Sequence, residues 1–219
     1  MVSIWALVAA LEARYGAPKL NNENNPIDEF VLIVLSARTR EEVYLPVFST
    51  LRNRFPDWNG LTRDMTSILE EIIRPVGLAT KKSGAILTAF DILRSDYGTV
   101  CFDHLQALSD ELLESFLLEL PGIDRKTARC IMLFSFGRQV LPVDTHVFRV
   151  SSRIGLTNKK RADLAHYDLD LAIPPEYRYT YHVTCITHGR LVCRSNRPVC
   201  PTCCIAQYCL AKHKGEETR

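Results

Sequence analysis

The sequence predicts an all-α protein with two helical lobes. Glycine and proline cluster at the breaks between helices, as at Pro56–Gly60, Pro75–Gly77, Pro121-Gly122 and Gly137. No run of alternating apolar and polar residues indicates a strand. Apolar residues recur at the spacing of a helix in six segments: Ile27–Ser36, Val43–Phe55, Thr66–Ile73, Ser83–Leu93, Asp110–Leu120 and Lys126–Phe136.

The break near Gly137 separates a central helical block from a later block that holds closely spaced cysteines. The later block is too short to form a large core alone. We therefore expect the N-terminal helix, which Gly16-Ala17-Pro18 ends, to pack onto it, with a groove between the two lobes. The expected domains are residues 25–137, residues 1–24 with 138–211, and a flexible polar tail over 212–219.

Composition indicates a globular protein that does not enter a membrane. The chain has 219 residues, of which 47% are hydrophobic and 24% charged, and no apolar run reaches the length of a bilayer span. Its apolar start lacks the basic leader of a secretion signal, so we expect a cytoplasmic protein. We also expect the protein to be a monomer. The net charge of +2 says little about partners, and short basic runs such as Lys81-Lys82 are commonly solvated faces.

Four of the eight cysteines have the spacing Cys193-x6-Cys200-x2-Cys203-x5-Cys209. Thiolates in such a cluster bind zinc or an iron–sulfur centre, and the wide outer spacings favour the larger iron–sulfur cubane over zinc. All four ligand positions are filled, which indicates a structural role that fixes the Arg194–Val199 loop, where Arg194 and Arg197 would meet phosphates. Cys204 is a spare thiol, and the other cysteines are expected to be small buried residues: Cys101, Cys130 and Cys185.

The segment from Leu120 to Ala128 predicts a helix–hairpin–helix. One amphipathic helix runs into Pro121-Gly122, and a second begins near Arg125. Backbone N–H groups of the hairpin and of the second helix's first turn can bind a phosphate, although a plain helical turn is the alternative. Lys126 lies in that first turn, where the helix dipole and Arg125 disfavour a charged amine. A neutral amine is a nucleophile, and the alternative is a lysine that only binds phosphate.

Asp144 follows Pro142 and has the position of a helix N-cap. Capping hydrogen bonds hold a carboxylate in place, and a fixed carboxylate stabilises a cationic sugar in a transition state. A purely structural cap is the alternative for an isolated aspartate. The presence of Lys126 eighteen residues earlier favours the catalytic interpretation.

Together these motifs resemble the endonuclease III family of helix–hairpin–helix DNA glycosylases over about residues 27 to 210. The resemblance implies a six-helix barrel lobe, a lobe with a [4Fe–4S] cluster, and a DNA-binding cleft between them. It is carried by Leu-Pro-Gly and Arg-Lys-Thr-Ala at 120–128, Val-Asp-Thr-His-Val-Phe-Arg-Val at 143–150, His188-Gly189-Arg190, and the cluster cysteines Cys193, Cys200, Cys203 and Cys209.

The resemblance also implies a reaction on double-stranded DNA that contains a damaged base or an abasic site. Family members flip the damaged base out of the duplex, and Leu78 matches a residue that wedges into the gap. Lys126 would displace the base at C1′ as a Schiff base, β-elimination would nick the strand, and Asp144 would stabilise charge. Oxidised pyrimidines are the implied lesions. Relatives that remove adenine lack a lysine at this position.

Three departures from the family pattern bear on specificity. Arg38 stands where the family has glutamine, Leu118 where an acidic residue lines the pocket, and Asp124 where the hairpin has a second glycine, a place where Asp tolerates a left-handed backbone. They leave a monofunctional glycosylase and a non-catalytic iron–sulfur DNA-binding protein as alternatives. The DNA contacts that the resemblance implies are Arg38, Leu78, Lys82, Gly122, Asp124, Arg125, His146, Arg190, Arg194 and Arg197.

Overall fold

A computed structural model describes residues 3–16, 18, 20 and 22–211 of the chain. Over these residues the protein is helical and has no strand, which confirms the predicted all-α class. None of the helices in these ranges is long and apolar enough to span a membrane. The helices are α1 (Ile4–Tyr15), α2 (Pro26–Ser36), α3 (Glu41–Arg54), α4 (Thr66–Ile73), α5 (Ala79–Tyr97), α6 (Asp110–Glu119), α7 (Arg125–Phe134), α8 (Thr145–Arg153), α9 (His166–Ala172) and α10 (Arg178–Leu191).

The chain divides into two compact units, Asn22–Arg138 and a second unit of Met1–Asn21 with Gln139–Arg219. The tail predicted over 212–219 lies outside the described residues.

Helix α2 is the centre of the first unit and packs against α3, α5 and α7. Asn25 caps it by accepting hydrogen bonds from the backbone N–H groups of Ile27 and Asp28, and Pro26 occupies the first turn. All residues from Ile27 to Leu35 are buried, because neighbouring helices cover every face of α2. The buried carboxylate of Asp28 is paired with Arg52 at 3.3 Å and accepts a hydrogen bond from Trp58 Nε1 at 2.6 Å.

The apolar pattern located most helices of this unit to within two residues, and α4 matches its predicted bounds. Helix α5 begins four residues before the predicted Ser83, because its first turn carries the polar Thr80, Lys81 and Lys82, which break the apolar pattern. Cys130 is buried as predicted. Cys101 is partly exposed, contrary to prediction, because it lies on the segment between α5 and α6 rather than inside a helix.

In the second unit, α10 packs against both α1 and α8. Its core includes Leu7 and Leu11 of α1, Val147 of α8, and Tyr181 and Cys185 of α10. Tyr181 is fully buried, and its hydroxyl is hydrogen-bonded to Ser151 on α8 at 2.7 Å. This packing fixes the N-terminus of α8, where Asp144 lies, and the C-terminus of α10, which leads into the cysteine segment.

Candidate functional site

The hairpin between α6 and α7 is held by its sequence. Gly122 has φ +85°, and a Cβ at this position would also lie 3.0 Å from the side chain of Ala85 on α5, so only glycine fits without displacement. Asp124 then caps α7, its Oδ1 accepting a hydrogen bond from Thr127 N at 2.8 Å. Its backbone is extended rather than left-handed, which corrects the expectation that aspartate replaces glycine here by tolerating a positive φ.

Lys126 is partly buried in the first turn of α7 and lines an open cavity of about 500 Å³. This volume is within the range of small-molecule sites, about 300–1,000 Å³. The predicted DNA contacts Arg38, Leu78, Gly122 and Asp124 surround the same cavity. The remaining lining residues are Ile33, Val34, Ser36, Ala37, Lys81, Lys82, Ala85 and Thr127.

Arg125, the residue before Lys126, is half-exposed and paired with a carboxylate of α6. Its Nε lies 3.2 Å from Glu114 Oε1, and the same oxygen accepts a hydrogen bond from Arg129 Nε at 3.0 Å. One carboxylate thus faces two guanidinium groups. The pair of arginines keeps a net positive charge beside the hairpin, which favours an anion there.

A buried acid, Glu29, lies close enough to act on Lys126 electrostatically. It is on α2, one turn before the cavity residue Ile33, and its Oε2 accepts a hydrogen bond from Glu23 N at 2.7 Å. Burial raises the pKa of Glu29 to about 7, against the opposing effects of its hydrogen bonds and of the charge of Lys126. Glu29 is not among the site residues that the motifs predict. The available signal was a carboxylate at the start of an apolar run.

Arg38 and Leu78 have backbone conformations that residues other than glycine rarely adopt. Their φ angles are +58° and +53°, in the left-handed region, which costs about 1–2 kcal/mol per residue. Both side chains are exposed, and 55% of Leu78 is accessible despite its apolar character. Left-handed, exposed residues at the edge of a cavity are typical of functional positions.

Lys82 does not occupy the position that the resemblance implied. It is 4% exposed, and its ammonium donates hydrogen bonds to the carbonyl oxygens of Leu35 (2.8 Å) and Val76 (3.0 Å) and to Thr39 Oγ1 (3.1 Å). An ammonium has three N–H donors, and all three have acceptors within the protein. The prediction of a direct DNA contact by Lys82 is therefore wrong. Burial lowers the pKa of Lys82.

In the second unit, Asp144 caps α8 as predicted. Its Oδ1 accepts hydrogen bonds from His146 N at 2.8 Å and from Val147 N at 2.7 Å, and the side chain is partly exposed. Both capping bonds use one oxygen, so Oδ2 takes no part in the cap. The carboxylate is thus held in one orientation by the helix that it begins.

His146 packs against the predicted His188-Gly189-Arg190 motif. A Cβ at Gly189 would lie 2.6 Å from His146 Nδ1, which explains the glycine. Nδ1 is also 3.0 Å from Arg149 Nη2. Burial lowers the pKa of His146, against the opposing charge of Asp144. Arg190, at the end of α10, is exposed.

The four predicted cluster cysteines surround one cavity of about 260 Å³. Arg153 Nη1 donates a hydrogen bond to Cys193 Sγ at 3.1 Å, and His188 Nε2 lies 3.6 Å from Cys203 Sγ. Within the described ranges, no group of three or more His, Cys, Asp or Glu side chains is arranged to hold a single metal ion. The cavity is lined by Cys193, Cys200, Cys203, Cys209, Arg153, Val192, Pro198 and Ala211.

Arginine side chains of α8 hold the loop that begins this cysteine segment, by donating hydrogen bonds to its backbone carbonyl oxygens. Arg153 donates hydrogen bonds to the carbonyl oxygens of Arg194 (2.8 Å) and Ser195 (3.1 Å), and Arg149 Nε donates one to Cys193 O (2.7 Å). Arg194 and Arg197 are exposed, and Arg197 has φ +54°. The loop therefore presents two cations on a fixed backbone.

Comparison with known proteins places these features in a family. Residues 31–175 match the model of the HhH-GPD superfamily of base excision DNA repair proteins. Endonuclease III of Buchnera aphidicola is 30% identical over 185 residues, 84% of this chain and 82% of that protein. Endonuclease III of Rickettsia prowazekii is 32% identical over 189 residues, which is 84% of this chain and 83% of the relative.

A protein of Arabidopsis thaliana whose name assigns it to the DNA glycosylases is 30% identical over 177 residues, 80% of this chain, and the chain spans 60% of its length. The structure of a non-covalent endonuclease III–DNA complex matches with a TM-score of 0.82 and 25% identity over 100% of both chains. The family model covers about two thirds of the chain, and the two bacterial relatives align over 82% and 83% of their own length. The chain therefore belongs to the endonuclease III family of the HhH-GPD superfamily of base excision DNA repair proteins.

Proposed function

We propose that this protein is a bifunctional DNA glycosylase and abasic-site lyase that acts in base excision repair on double-stranded DNA. One observation carries the proposal: the amine of Lys126 lies at the start of α7, in a cavity of about 500 Å³ bordered by the exposed Leu78. An extruded nucleotide needs such a cavity, and the gap that it leaves needs an apolar side chain to fill it.

In the proposed reaction, Lys126 first gives up its ammonium proton to solvent, and the amine then attacks C1′ of the damaged nucleotide. The glycosidic C–N bond breaks, and the base leaves with the electron pair and takes up a proton. The nitrogen then loses a proton and the C1′–O4′ bond breaks, with O4′ taking up a proton, which gives an imine between C1′ and the lysine nitrogen. Loss of a proton from C2′ then expels the 3′ phosphate, which cuts the strand, and water releases the lysine from the imine.

Asp144 supplies the fixed negative charge in this proposal. The sugar gains positive charge as the glycosidic bond breaks, and an oriented carboxylate stabilises that charge without having to reorganise. The oxygen outside the helix cap, Oδ2, is the one that would face the sugar and exchange protons. The hydrogen bonds from His146 N and Val147 N keep the carboxylate in this orientation.

The proposed DNA contacts divide between the two units. Around the Lys126 cavity they are the N–H groups of the hairpin at Gly122 and Asp124, the guanidinium of Arg125, and the exposed Arg38 and Leu78. The second unit contributes contacts from His146 and from three exposed cations, Arg190, Arg194 and Arg197. The exposed guanidinium groups would bind phosphates.

We also propose that Cys193, Cys200, Cys203 and Cys209 hold a [4Fe–4S] cluster. The donor set fits this group, because four thiols border one cavity and Arg153 directs an N–H group at Cys193 Sγ, which stabilises thiolate charge. When bound, the cluster would supply structural cross-linking of the segment that carries Arg194 and Arg197. The residues of the chain would perform the base-excision steps.

The cluster proposal predicts a brown protein with a broad absorbance band in the blue. Cys200→Ser is expected to lose this band together with its iron and acid-labile sulfide. Cys204→Ser is the matched control and is expected to keep all three, because Cys204 does not line the cavity. Zinc in a colourless wild-type protein, or equal losses in the two variants, would contradict the proposal.

Oxidised pyrimidines are the proposed lesions, and a screen of duplexes with defined single lesions tests this choice. We expect strand cleavage at an abasic site and at one or more oxidised pyrimidines. At an oxidised pyrimidine, the amount of released base should equal the amount of cleaved strand. Base release without cleavage would favour the second candidate, a monofunctional glycosylase. Leu118 prompts that candidate, because the family resemblance implies an acidic residue at this position. Binding to every duplex with no product would contradict both.

A further inference from the structure

One buried side chain, that of Lys82, is hydrogen-bonded to two segments at the Lys126 cavity. The first ends α2 and continues through Arg38 to Thr39, and the second runs from Val76 through Gly77 to Leu78 at the start of α5. Each carries an exposed side chain on a left-handed backbone, Arg38 in the first and Leu78 in the second. Both segments need an external restraint, because a left-handed conformation is not a preferred state of either residue.

Lys82 supplies that restraint. Its acceptors Leu35 O and Thr39 Oγ1 lie on the two sides of Arg38, and its third acceptor, Val76 O, lies two residues before Leu78. Thr39 Oγ1 also donates a hydrogen bond to Val76 O at 2.8 Å, which joins the two segments directly. The ammonium is buried, so water does not compete for these carbonyls, and hydrogen bonds from a charged donor are strong.

We propose that Lys82 is a positioning residue that holds Arg38 and Leu78 ready to enter the duplex when a nucleotide leaves it. The inference rests on the proposed function, since it assumes DNA with an extruded nucleotide. Ordering both segments before DNA arrives removes a conformational cost from binding. Lys82 thus affects DNA binding through Arg38 and Leu78 and does not contact the DNA itself.

A merely structural role for Lys82 would lower the stability of the fold and leave discrimination between damaged and intact DNA unchanged. Discrimination is therefore the decisive quantity. It can be measured as the ratio of dissociation constants for undamaged DNA and for DNA with an uncleavable tetrahydrofuran abasic analogue. A 2-aminopurine placed opposite the analogue reports by fluorescence whether its stacking is disturbed.

Lys82→Met keeps the length of the side chain and removes its charge and donors. In the folded variant we expect the dissociation-constant ratio to fall about tenfold and the change in 2-aminopurine fluorescence on binding to be mostly lost. The affinity for undamaged DNA should stay within about twofold of the wild type. Lys160→Met is the control, because Lys160 is an exposed lysine that does not line the Lys126 cavity. Any loss of affinity in this variant is expected to be equal for the two DNAs, so the ratio should stay at the wild-type value.

Thr39→Val provides a second test that keeps the buried ammonium. It removes one acceptor of Lys82 and the bond to Val76 O, so the ratio should fall in the same direction, and Thr39→Ser should restore it. Folded Lys82→Met or Thr39→Val protein with the wild-type ratio and fluorescence would overturn the positioning role. A wild-type protein that does not prefer the abasic analogue would instead contradict the proposed function, and with it any role of Lys82 on DNA.

Discussion

Replacing Lys126 by alanine is expected to abolish the covalent adduct that borohydride traps with abasic DNA, and to slow strand cleavage at least about 1,000-fold. Among the protein's groups, the amine of Lys126 is the one that forms a bond to the sugar in the proposed reaction. Lys126 is partly buried in the first turn of α7, whose cap is made by Asp124. Truncating the side chain leaves that cap intact, so the variant should fold. Gel analysis after borohydride reduction measures both quantities.

Lys126→Arg separates nucleophilic attack from DNA binding. It keeps a cation beside the cavity, and a guanidinium does not form a Schiff base with the sugar. We expect no adduct and near-normal affinity for abasic DNA. Restored trapping in this variant, or an unchanged adduct in Lys126→Ala, would show that another group attacks the sugar.

Replacing Asp144 by asparagine is expected to slow base removal by about 100-fold or more, with little change in stability. Asparagine caps a helix about as well as aspartate, so the hydrogen bonds to His146 N and Val147 N can persist. The substitution removes the negative charge and one proton acceptor. Single-turnover rates on the best lesion from the screen test the loss of rate, and thermal unfolding tests the unchanged stability.

Asp144→Ala distinguishes the two interpretations of this residue. It removes the cap as well as the charge and should cost about 1 kcal/mol of folding free energy. If Asp144 only caps α8, the asparagine variant will keep the wild-type rate and the alanine variant will only lose stability. If the carboxylate acts on the sugar, both variants will lose the rate.

The helices were predictable because their evidence is local. Apolar spacing located α4, and proline or glycine marked the ends of several others. The cap by Asp144 was also local, since Asp144 contacts N–H groups two and three residues later. Membership of the family followed from short motifs around Lys126 and Asp144 and from the four spaced cysteines.

The errors arose where contacts join distant parts of the sequence. The doublet Lys81-Lys82 reads as a basic surface, but Lys82 finds carbonyl acceptors 6 and 47 residues away, which no local pattern encodes. Glu29 was missed for the same reason, because its neighbour Lys126 lies on another helix. The error at Asp124 is local instead: the residue does not take a glycine conformation but begins α7 as an extended N-cap, and its carboxylate accepts a hydrogen bond from Thr127 N three residues later.

Mass spectrometry of the borohydride-reduced adduct with abasic DNA tests the central claim most directly. We expect one adduct per chain, found after protease and nuclease digestion as a sugar remnant on the peptide that contains Lys126. A remnant on a different residue, such as Lys81 at the same cavity, or no adduct on a substrate that the protein cleaves, would contradict it.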